Sequence, residues 1–198
     1  MRGKLFAISG PSGVGKNTVL NRVMQLRDHV QYSISATSRA MRPGEVDGKS
    51  YYFVTRAQFE QMIAEGELLE HAEYVGNYYG TPIRPIREAL ESGTDVVMDV
   101  DVVGALNIRK RLPEAVLVFL TAPSLAEIRR RLQKRGDVSP EAMEKRLERA
   151  KWEYSQAYQY DYLVVNDTVE HAADELLAIM TAEKCKMMDC IHIMKEEL

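Results

Sequence analysis

The 198-residue sequence predicts an α/β protein built on a five-stranded parallel sheet. Short apolar segments alternate with helical patterns along most of the chain. This alternation is typical of parallel sheets that helices cover on both faces. Several segments are unbroken apolar runs, as expected for strands with no solvent-facing side. We therefore expect ligands at the carboxyl ends of the strands. The predicted strands are Leu5–Ser9, Tyr32–Ser35, Val96–Val100, Ala115–Leu120 and Tyr162–Val165.

Start and stop signals mark the helices between these strands. Thr55-Arg56-Ala57-Gln58 and Ser124-Leu125-Ala126-Glu127 have the spacing of a capping box. Ser139-Pro140-Glu141 places a proline at the first helical position, where a helix does not need its missing N–H. Glycines fall where helices should stop: Gly66 after a helix over 56–65, and Gly93 after a helix over 85–92.

Two segments interrupt the alternation. The first contains a polar loop, two helical patterns and the short strands Tyr51–Val54, Leu68–Tyr74 and Tyr78–Gly80. It is too long for a crossover connection, so we expect an inserted subdomain over residues 35–93. The second, residues 129–149, is dense in Arg and Lys and is expected to form a helical lid. The core domain would then consist of residues 1–34, 94–128 and 150–198.

A glycine-rich loop directly follows the first predicted strand. It reads Gly10-Pro11-Ser12-Gly13-Val14-Gly15-Lys16-Asn17-Thr18 and leads into an apolar helical pattern. The glycines let successive N–H groups converge on one anion, while the helix N-terminus and Lys16 add positive charge. This strand–loop–helix context predicts a nucleoside triphosphate site. Asn17 stands where a Ser or Thr hydroxyl would usually contact Mg²⁺, and Thr18 supplies a hydroxyl one position later.

Two groups of basic residues could bind further phosphates. Arg39 and Arg42 lie in a Ser/Thr-rich loop, which is either a clamp for a second anion or a solvated loop. The run Arg129–Arg135 invites a nucleic-acid interpretation, and a solvated helix face is the simpler alternative. A third interpretation is a lid, because phosphoryl transfer needs mobile cations that neutralise the transferring group. Its cations would be Arg131, Arg135 and Arg146.

Acidic residues lie at the end of the third predicted strand. Asp99 follows an apolar run, a position typical of an acid near Mg²⁺, and Asp101 lies two residues on, on the same face. The stretch Asp101-Val102-Val103-Gly104 matches the D-x-x-G motif of GTPases. The sequence contains no N-K-x-D motif to read guanine, so we discount a GTPase.

The composition excludes several classes of partner. The net charge of −3 gives no support for binding nucleic acid. No apolar run approaches the ~20 residues that span a bilayer, and the early strand and loop leave no room for a signal peptide. We therefore expect a cytoplasmic protein with no membrane partner. Cys185 and Cys190, five apart beside His192, are expected to be free reduced thiols rather than metal ligands.

Further stretches resemble the guanylate kinase family. The segment SISATSRAMRPGEVDGKSY, from Ser33 to Tyr51, is similar to the family's GMP-binding signature, as are LEHAE from Leu69 and GNYYGT from Gly76. With the glycine-rich loop, Asp99-Val100-Asp101 and the Arg-rich segment, the resemblance covers nearly the whole chain in order. It implies a P-loop NTPase-type three-layer fold with a mixed α/β GMP-binding subdomain. It also implies transfer of the γ-phosphoryl group of ATP, with Mg²⁺, to GMP or dGMP.

The resemblance implies a role for each matching residue. The GMP phosphate would be held by Ser35, Arg39, Arg42, Tyr51 and Tyr79, and Glu45 would also belong to the GMP-binding site. Glu70 and Thr81 would read guanine, with Asp101 assisting. The ATP phosphates would be held by the loop from Gly10 to Thr18 with Lys16, Arg131, Arg135 and Arg146, and Asn166 would lie near adenine. Asp99 would act on Mg²⁺ through water, with Thr18 as a further metal contact. No prosthetic group is expected, and the protein would be a monomer or a homodimer.

Two other functions stay open at this point. A related P-loop kinase could act on another phosphorylated acceptor, but the pair Glu70 and Thr81 favours GMP. Guanylate-kinase-like domains also serve as phosphopeptide-binding scaffolds, and the intact loop disfavours that interpretation. The chain departs from the family pattern at Asn17, at Val103 where Gln is common, and at Met41 where Pro is common. We expect altered KM rather than lost activity from these departures.

Overall fold

The computed structural model describes residues 2–135, 140–186 and 190. Its strands, in chain order, are β1 (Leu5–Ser9), β2 (Val30–Tyr32), β3 (Ala36–Thr37), β4 (Tyr52–Phe53), β5 (Leu68–Tyr74), β6 (Asn77–Pro82), β7 (Asp95–Asp99), β8 (Val116–Thr121) and β9 (Tyr162–Val165). Its α-helices are α1 (Lys16–Leu26), α2 (Arg56–Ala64), α3 (Ile83–Glu91), α4 (Val102–Arg111), α5 (Leu125–Arg135), α6 (Pro140–Ser155) and α7 (Val169–Lys184). A short 3₁₀ turn spans Ala157–Gln159.

A five-stranded parallel sheet, in the order β2-β7-β1-β8-β9, forms the centre of the molecule and confirms the predicted fold class. The bounds of β1 and β9 agree with the sequence prediction to the residue. One predicted strand is displaced, since β2 spans Val30–Tyr32 rather than Tyr32–Ser35. The reason is that the chain leaves β7 after Ser33, and the carbonyl of Ser35 then accepts from the N–H of Tyr52 near a second sheet.

The side chains of β1 alternate between two apolar cores. Phe6 and Ile8 pack in a core shared with α1 and α7, and both are fully buried. Leu5 and Ala7 pack on the opposite face, in a core shared with α3 and α4. Each fully buried large side chain contributes roughly 1.5–3 kcal/mol of transfer free energy. Helices therefore cover the sheet on both faces, which explains why the strand sequences are unbroken apolar runs.

The second sheet is mixed and has the order β4-β3-β6-β5. The helix α2 covers it and begins with the predicted capping box, in which the Thr55 hydroxyl accepts from the N–H of Gln58 at 3.2 Å. Phe59 of α2 is fully buried against Ala36 and Leu68 and stacks on the ring of Tyr78. Residues 36–82 thus contain a small core of their own.

The helices α5 and α6 contain the segment predicted as a lid. The Ser124 hydroxyl accepts from the N–H of Glu127 at 3.1 Å, as the capping spacing predicts. The Glu127 carboxylate binds Arg130 and Arg131. Pro140 is the first residue of α6, also as predicted. The predicted break at Gly136-Asp137-Val138, together with Ser139, lies outside the described residues.

The described helices include none that is long and apolar enough to cross a membrane. Cys185 is exposed, Cys190 is partly buried, and both are free thiols. His192, which the sequence places near them, lies outside the described residues.

A buried carboxylate joins the last described helix to the sheet. Asp95 at the start of β7 is 1% exposed, lies 3.0 Å from the Lys184 ammonium and accepts from the backbone N–H of Lys4 at 3.0 Å. Because Asp95→Ala would leave partly buried cations uncompensated, we expect it to lower the free energy of unfolding by about 3 kcal/mol. Urea denaturation measures this effect, and Asp174→Ala on the exposed side of α7 is the control. Equal midpoints for Asp95→Ala and the wild type would contradict the assignment.

Candidate active site

The glycine-rich loop connects β1 to α1 at the carboxyl edge of the central sheet, and Lys16 is the first residue of α1 as predicted. Gly10 has φ 144°, and a Cβ there would lie 1.9 Å from the Leu120 carbonyl oxygen. Gly15 has φ 94°, and a Cβ there would lie 2.6 Å from Nδ2 of Asn166. Both positions therefore require glycine, for the backbone angle and for the close approach.

A cation and an acid flank a 160 Å³ cavity beside this loop. The Lys16 ammonium donates to the Gly10 carbonyl at 2.9 Å and lies 3.7 Å from Oδ1 of Asp99. Burial raises the pKa of the Asp99 carboxyl, and Lys16 opposes that shift. The cavity also reaches Ser12, Asn17 and Thr18. Phosphate oxygens placed here would meet the N-terminus of α1 and a half-buried ammonium.

The oxygen donors around this cavity suit a magnesium ion that arrives with a nucleotide. Mg²⁺ prefers oxygen ligands, keeps several waters and is usually bound by one or two carboxylates plus substrate phosphates. Asp99 offers one carboxylate and Thr18 an exposed hydroxyl. Within the described ranges there is no group of three or more His, Cys, Asp or Glu side chains that could hold a metal by itself. Phosphates and water would therefore complete the coordination.

A wider cleft of 560 Å³ opens on the other side of the loop. Asn166, which follows β9, is 3% exposed and donates from Nδ2 to the Val14 carbonyl at 2.7 Å. Arg131 of α5 donates to the carbonyls of Val14 and Asn166 at 3.1 and 2.8 Å, and Glu127 holds its Nε at 2.7 Å. Asn166 and Arg131, both predicted to bind ATP, therefore line the cleft. Both also donate hydrogen bonds to the backbone of the loop.

The predicted acceptor clamp is assembled around Arg39. Its guanidinium makes two hydrogen bonds to the Glu45 carboxylate, at 2.7 and 3.0 Å, and lies over the ring of Tyr51. The ring of Tyr79 meets that of Tyr51 edge-on at 6.1 Å. The bond from Arg39 holds the pKa of the Glu45 carboxyl below its usual range, and the N–H of Arg42 adds to this. These contacts hold the Arg39 guanidinium between the Glu45 carboxylate and the ring of Tyr51.

The predicted base-reading pair is formed across the hairpin of β5 and β6, where Glu70 is in register with Thr81. The Thr81 hydroxyl is buried and donates to the Glu70 carboxylate at 2.7 Å. Burial raises the pKa of Glu70, the Thr81 bond opposes this, and the charge of Asp101 adds to it. Asp101 caps α4 by accepting from the N–H of Gly104 at 2.7 Å. A Cβ on Gly104 would lie within 4 Å of both carboxylates, so the two acids share one pocket.

The remaining predicted residues lie around the edges of these two regions. Ser35 is half-buried on the chain between β2 and β3, Arg42 is exposed beside the clamp, and Arg146 is half-buried on α6. The described contacts do not join either of these guanidinium groups to the phosphate loop. Arg135 is the last residue of α5. Two departures from the family pattern, Val103 and Met41, are 45% and 55% exposed.

Sequence reasoning missed residues whose partners lie far away in the chain. Tyr32 ends β2, and burial, with the charge of Asp99 and the nearby Tyr51, raises its pKa to about 12. Glu127 orients Arg131. Sequence reasoning missed this role because the capping box already explained an acid at position 127. Glu153 of α6 is 7% exposed, and the helical periodicity alone gave no signal that this acid is buried.

The parallel sheet with a glycine-rich loop between β1 and α1 is the fold of a P-loop kinase, and the relatives reported below make the class that of the nucleoside monophosphate kinases. A family model described as guanylate kinase matches residues 2–183. The chain therefore belongs to the guanylate kinase family.

Individual relatives agree with this membership. The chain is 53% identical over 184 residues to a guanylate kinase of Thermus thermophilus, and the match covers 93% of this chain and 83% of that protein. It is 52% identical over 185 residues to a guanylate kinase of Halalkalibacterium halodurans, with 93% and 91% covered. The crystal structure of guanylate kinase from Anaplasma phagocytophilum matches with a TM-score of 0.73 and 34% identity, covering 93% of this chain and 88% of that one.

Proposed function

We propose that this protein transfers the γ-phosphoryl group of ATP to GMP or dGMP, giving ADP and GDP or dGDP. The observation that carries the proposal is the Glu70–Thr81 hydrogen bond beside Asp101, in which Thr81 is buried and Glu70 is half-buried. The pair lies on the second sheet.

The donor and acceptor pattern of guanine fits this pair. Guanine presents N1–H and N2–H₂ side by side, and the two carboxylate oxygens of Glu70 can accept both hydrogen bonds. The Thr81 hydroxyl can turn to donate to O6. Adenine would place its N1, a hydrogen-bond acceptor, against the carboxylate. Neither of these two acceptors would then have a donor. A buried polar group left unpaired in this way gives discrimination of about 10⁴-fold or more.

The reaction needs alignment rather than a general base. A phosphate monoester has a second pKa near 6, so GMP is already a dianionic nucleophile at neutral pH. Arg39, Tyr51 and Tyr79 would hold its phosphate, while Lys16 and Arg131 hold the phosphates of the donor. Asp99 and Thr18 would help to hold Mg²⁺, which would supply positive charge to the phosphates of the donor.

Closure would complete the site. We assign residues 35–93 as an acceptor subdomain and 129–149 as a lid that carries Arg135 and Arg146. Their movement towards the core would exclude water, so that ATP is not hydrolysed before GMP binds. Free nucleotides as both substrates suit the cytoplasmic location expected from the sequence.

A coupled ADP-release assay with Mg²⁺-ATP tests the proposal. GMP and dGMP should give turnover, while AMP, UMP and CMP should give almost none. Turnover with AMP or a pyrimidine monophosphate in preference to GMP would refute the assignment of the base pocket. Binding of ATP without transfer to any of the five would refute the kinase reaction itself.

The Asn17→Ser substitution tests how the metal is held. Asn17 is exposed at the cavity, and phosphates and water are expected to supply most Mg²⁺ ligands. We therefore expect the Mg²⁺ dependence of kcat/KM to stay within about twofold of the wild type. Titration of activity against free Mg²⁺ measures this. A large gain in magnesium affinity would show that a hydroxyl at this position ligates the metal directly.

The Thr81→Val substitution should shift the acid limb of the pH profile for GMP. Burial raises the pKa of Glu70, and the Thr81 hydroxyl lowers it. Removing the hydroxyl raises that pKa further, so the ionised form that binds guanine is lost at a higher pH. The measurement is kcat/KM for GMP against pH. A profile that is lowered at every pH with its acid limb unmoved would contradict this.

A further inference from the structure

Phe53 of β4 is an aromatic residue beside the acceptor clamp that none of the proposed substrate contacts uses. The centre of its ring lies 5.7 Å from Cζ of Arg39. The centre of the Tyr51 ring lies 5.6 Å from the same atom, and the two rings meet edge-on with their centres 5.8 Å apart. The Arg39 guanidinium therefore occupies a corner that two aromatic rings form.

This corner leaves the Arg39 side chain little freedom. The side chain is only 12% exposed, and its guanidinium donates to the Ala40 carbonyl at 2.6 Å as well as to both carboxylate oxygens of Glu45. A cation within about 6 Å of a ring centre is attracted by the negative face of the ring, and more strongly where water is excluded. The carboxylate and the two rings therefore hold the guanidinium together.

Backbone contacts connect Phe53 to the loop that carries Arg39. This loop leaves the second sheet after Thr37, the last residue of β3, and Thr37 is in register with Phe53 on the neighbouring strand. Further along the loop, Oδ1 of Asp47 accepts from the backbone N–H of Phe53 at 2.9 Å. Phe53 is therefore in contact with residues on both sides of Arg39 in the chain.

The chemistry of a phenyl ring restricts what Phe53 can do here. The ring has no polar atom, so it can act on an anion only through the cation that it contacts. Arginine binds a phosphate through a planar fork, and its two parallel hydrogen bonds form only when the plane of the guanidinium is turned correctly. A ring packed against the guanidinium restricts the orientation of that plane.

We propose that Phe53 is a positioning residue for the acceptor phosphate. Its ring, with the ring of Tyr51 and the carboxylate of Glu45, orients the Arg39 guanidinium so that its fork meets the phosphate of the acceptor nucleotide. The inference rests on the proposed function, because that function gives Arg39 a nucleotide phosphate to bind.

Two substitutions at Phe53 test the role of the ring. Phe53→Leu removes the ring and keeps an apolar side chain, whereas Phe53→Tyr keeps the ring. We expect Phe53→Leu to raise the Kd for GMP, measured by calorimetry, by about tenfold, because the guanidinium loses an attractive contact that orients it. Phe53→Tyr should bind GMP within about twofold of the wild type. KM for GMP should follow the same order, and KM for ATP should not change.

Tyr52→Leu is the matched control on the same strand. Tyr52 packs against the small core of Ala36, Phe59 and Leu68 on the second sheet. Its loss should lower the thermal unfolding midpoint and leave the Kd for GMP near that of the wild type. An equal rise of the Kd in Tyr52→Leu would overturn the inference, because general damage to β4 would then explain both variants.

A double-mutant cycle with Arg39→Met tests whether Phe53 acts through Arg39. Arg39→Met removes the cation, so adding Phe53→Leu should lower kcat/KM for GMP little further. Effects of the two substitutions that multiply independently would overturn the proposed route.

The outcomes also separate this inference from the proposed function. If the wild type neither binds GMP nor phosphorylates it, the proposed function fails and the inference fails with it. A wild type that binds GMP beside a Phe53→Leu variant of equal affinity overturns the inference alone. A lower unfolding midpoint in Phe53→Leu with an unchanged Kd for GMP would show that the ring is purely structural.

Discussion

Lys16→Met should lower kcat by about 10²- to 10³-fold and leave the fold intact. The Lys16 ammonium stands at the cavity mouth, 2.9 Å from the Gly10 carbonyl and 3.7 Å from Asp99. On a triphosphate it would move to the outer phosphate oxygens and stabilise the charge that develops during transfer. Methionine keeps most of the length and apolar stem but removes the charge. Steady-state kinetics with saturating ATP and GMP measure the loss.

Lys110→Met, an exposed change on α4, is the matched control for Lys16→Met. It should retain wild-type kcat because it lies outside the phosphate loop. The unfolding midpoint of Lys16→Met should stay near that of the wild type, since the side chain is only partly buried. A Lys16→Met enzyme with near-normal kcat would show that the loop does not hold the transferring group.

Glu70→Gln should lower kcat/KM for GMP by about 10²- to 10⁴-fold, because two charge-assisted hydrogen bonds to guanine are lost. The carboxylate is half-buried and already accepts from the Thr81 hydroxyl at 2.7 Å. The glutamine amide keeps the shape but turns an acceptor into a donor, which faces the N–H groups of guanine. ATP binding should be unaffected, because Glu70 lies on the second sheet.

Two comparisons make the Glu70→Gln result specific. Glu67→Gln, an exposed change just before β5, should leave kcat/KM for GMP as in the wild type. Titration of ATP binding by calorimetry should give the same Kd for Glu70→Gln and the wild type. An unchanged kcat/KM for GMP would mean that the base is read elsewhere, and that the Glu70–Thr81 pair is structural.

The local parts of this site follow directly from short stretches of sequence. The glycines from Gly10 to Gly15 predict a tight loop with positive φ angles, and the structure has a positive φ at Gly10, Gly13 and Gly15. The unbroken apolar runs of β1 and β8 predict a sheet that helices cover on both faces, because neither face of these strands presents a row of polar side chains to water. Prediction was weaker at β2, where a three-residue edge strand has too little apolar pattern to fix its ends.

Contacts between distant segments could not be predicted from the residues alone. Arg131 and Asn166, 35 positions apart, meet behind the phosphate loop. The family resemblance named Glu70 and Thr81 as a pair, but only the structure shows that they are in register across the hairpin and share a hydrogen bond. The burial of Glu153 has no local signature at all, because helical periodicity gives a residue's angle around its own helix and not what lies opposite.

Short segments and their order along the chain were enough to predict the parallel sheet, the phosphate loop and the membership in a kinase family. The folded chain was needed to show which charges compensate one another: Glu45 on Arg39, Glu127 on Arg131, and Glu153 on Arg149. Electrostatic free energy depends on the distance between charges and on their burial, and both are properties of the folded chain.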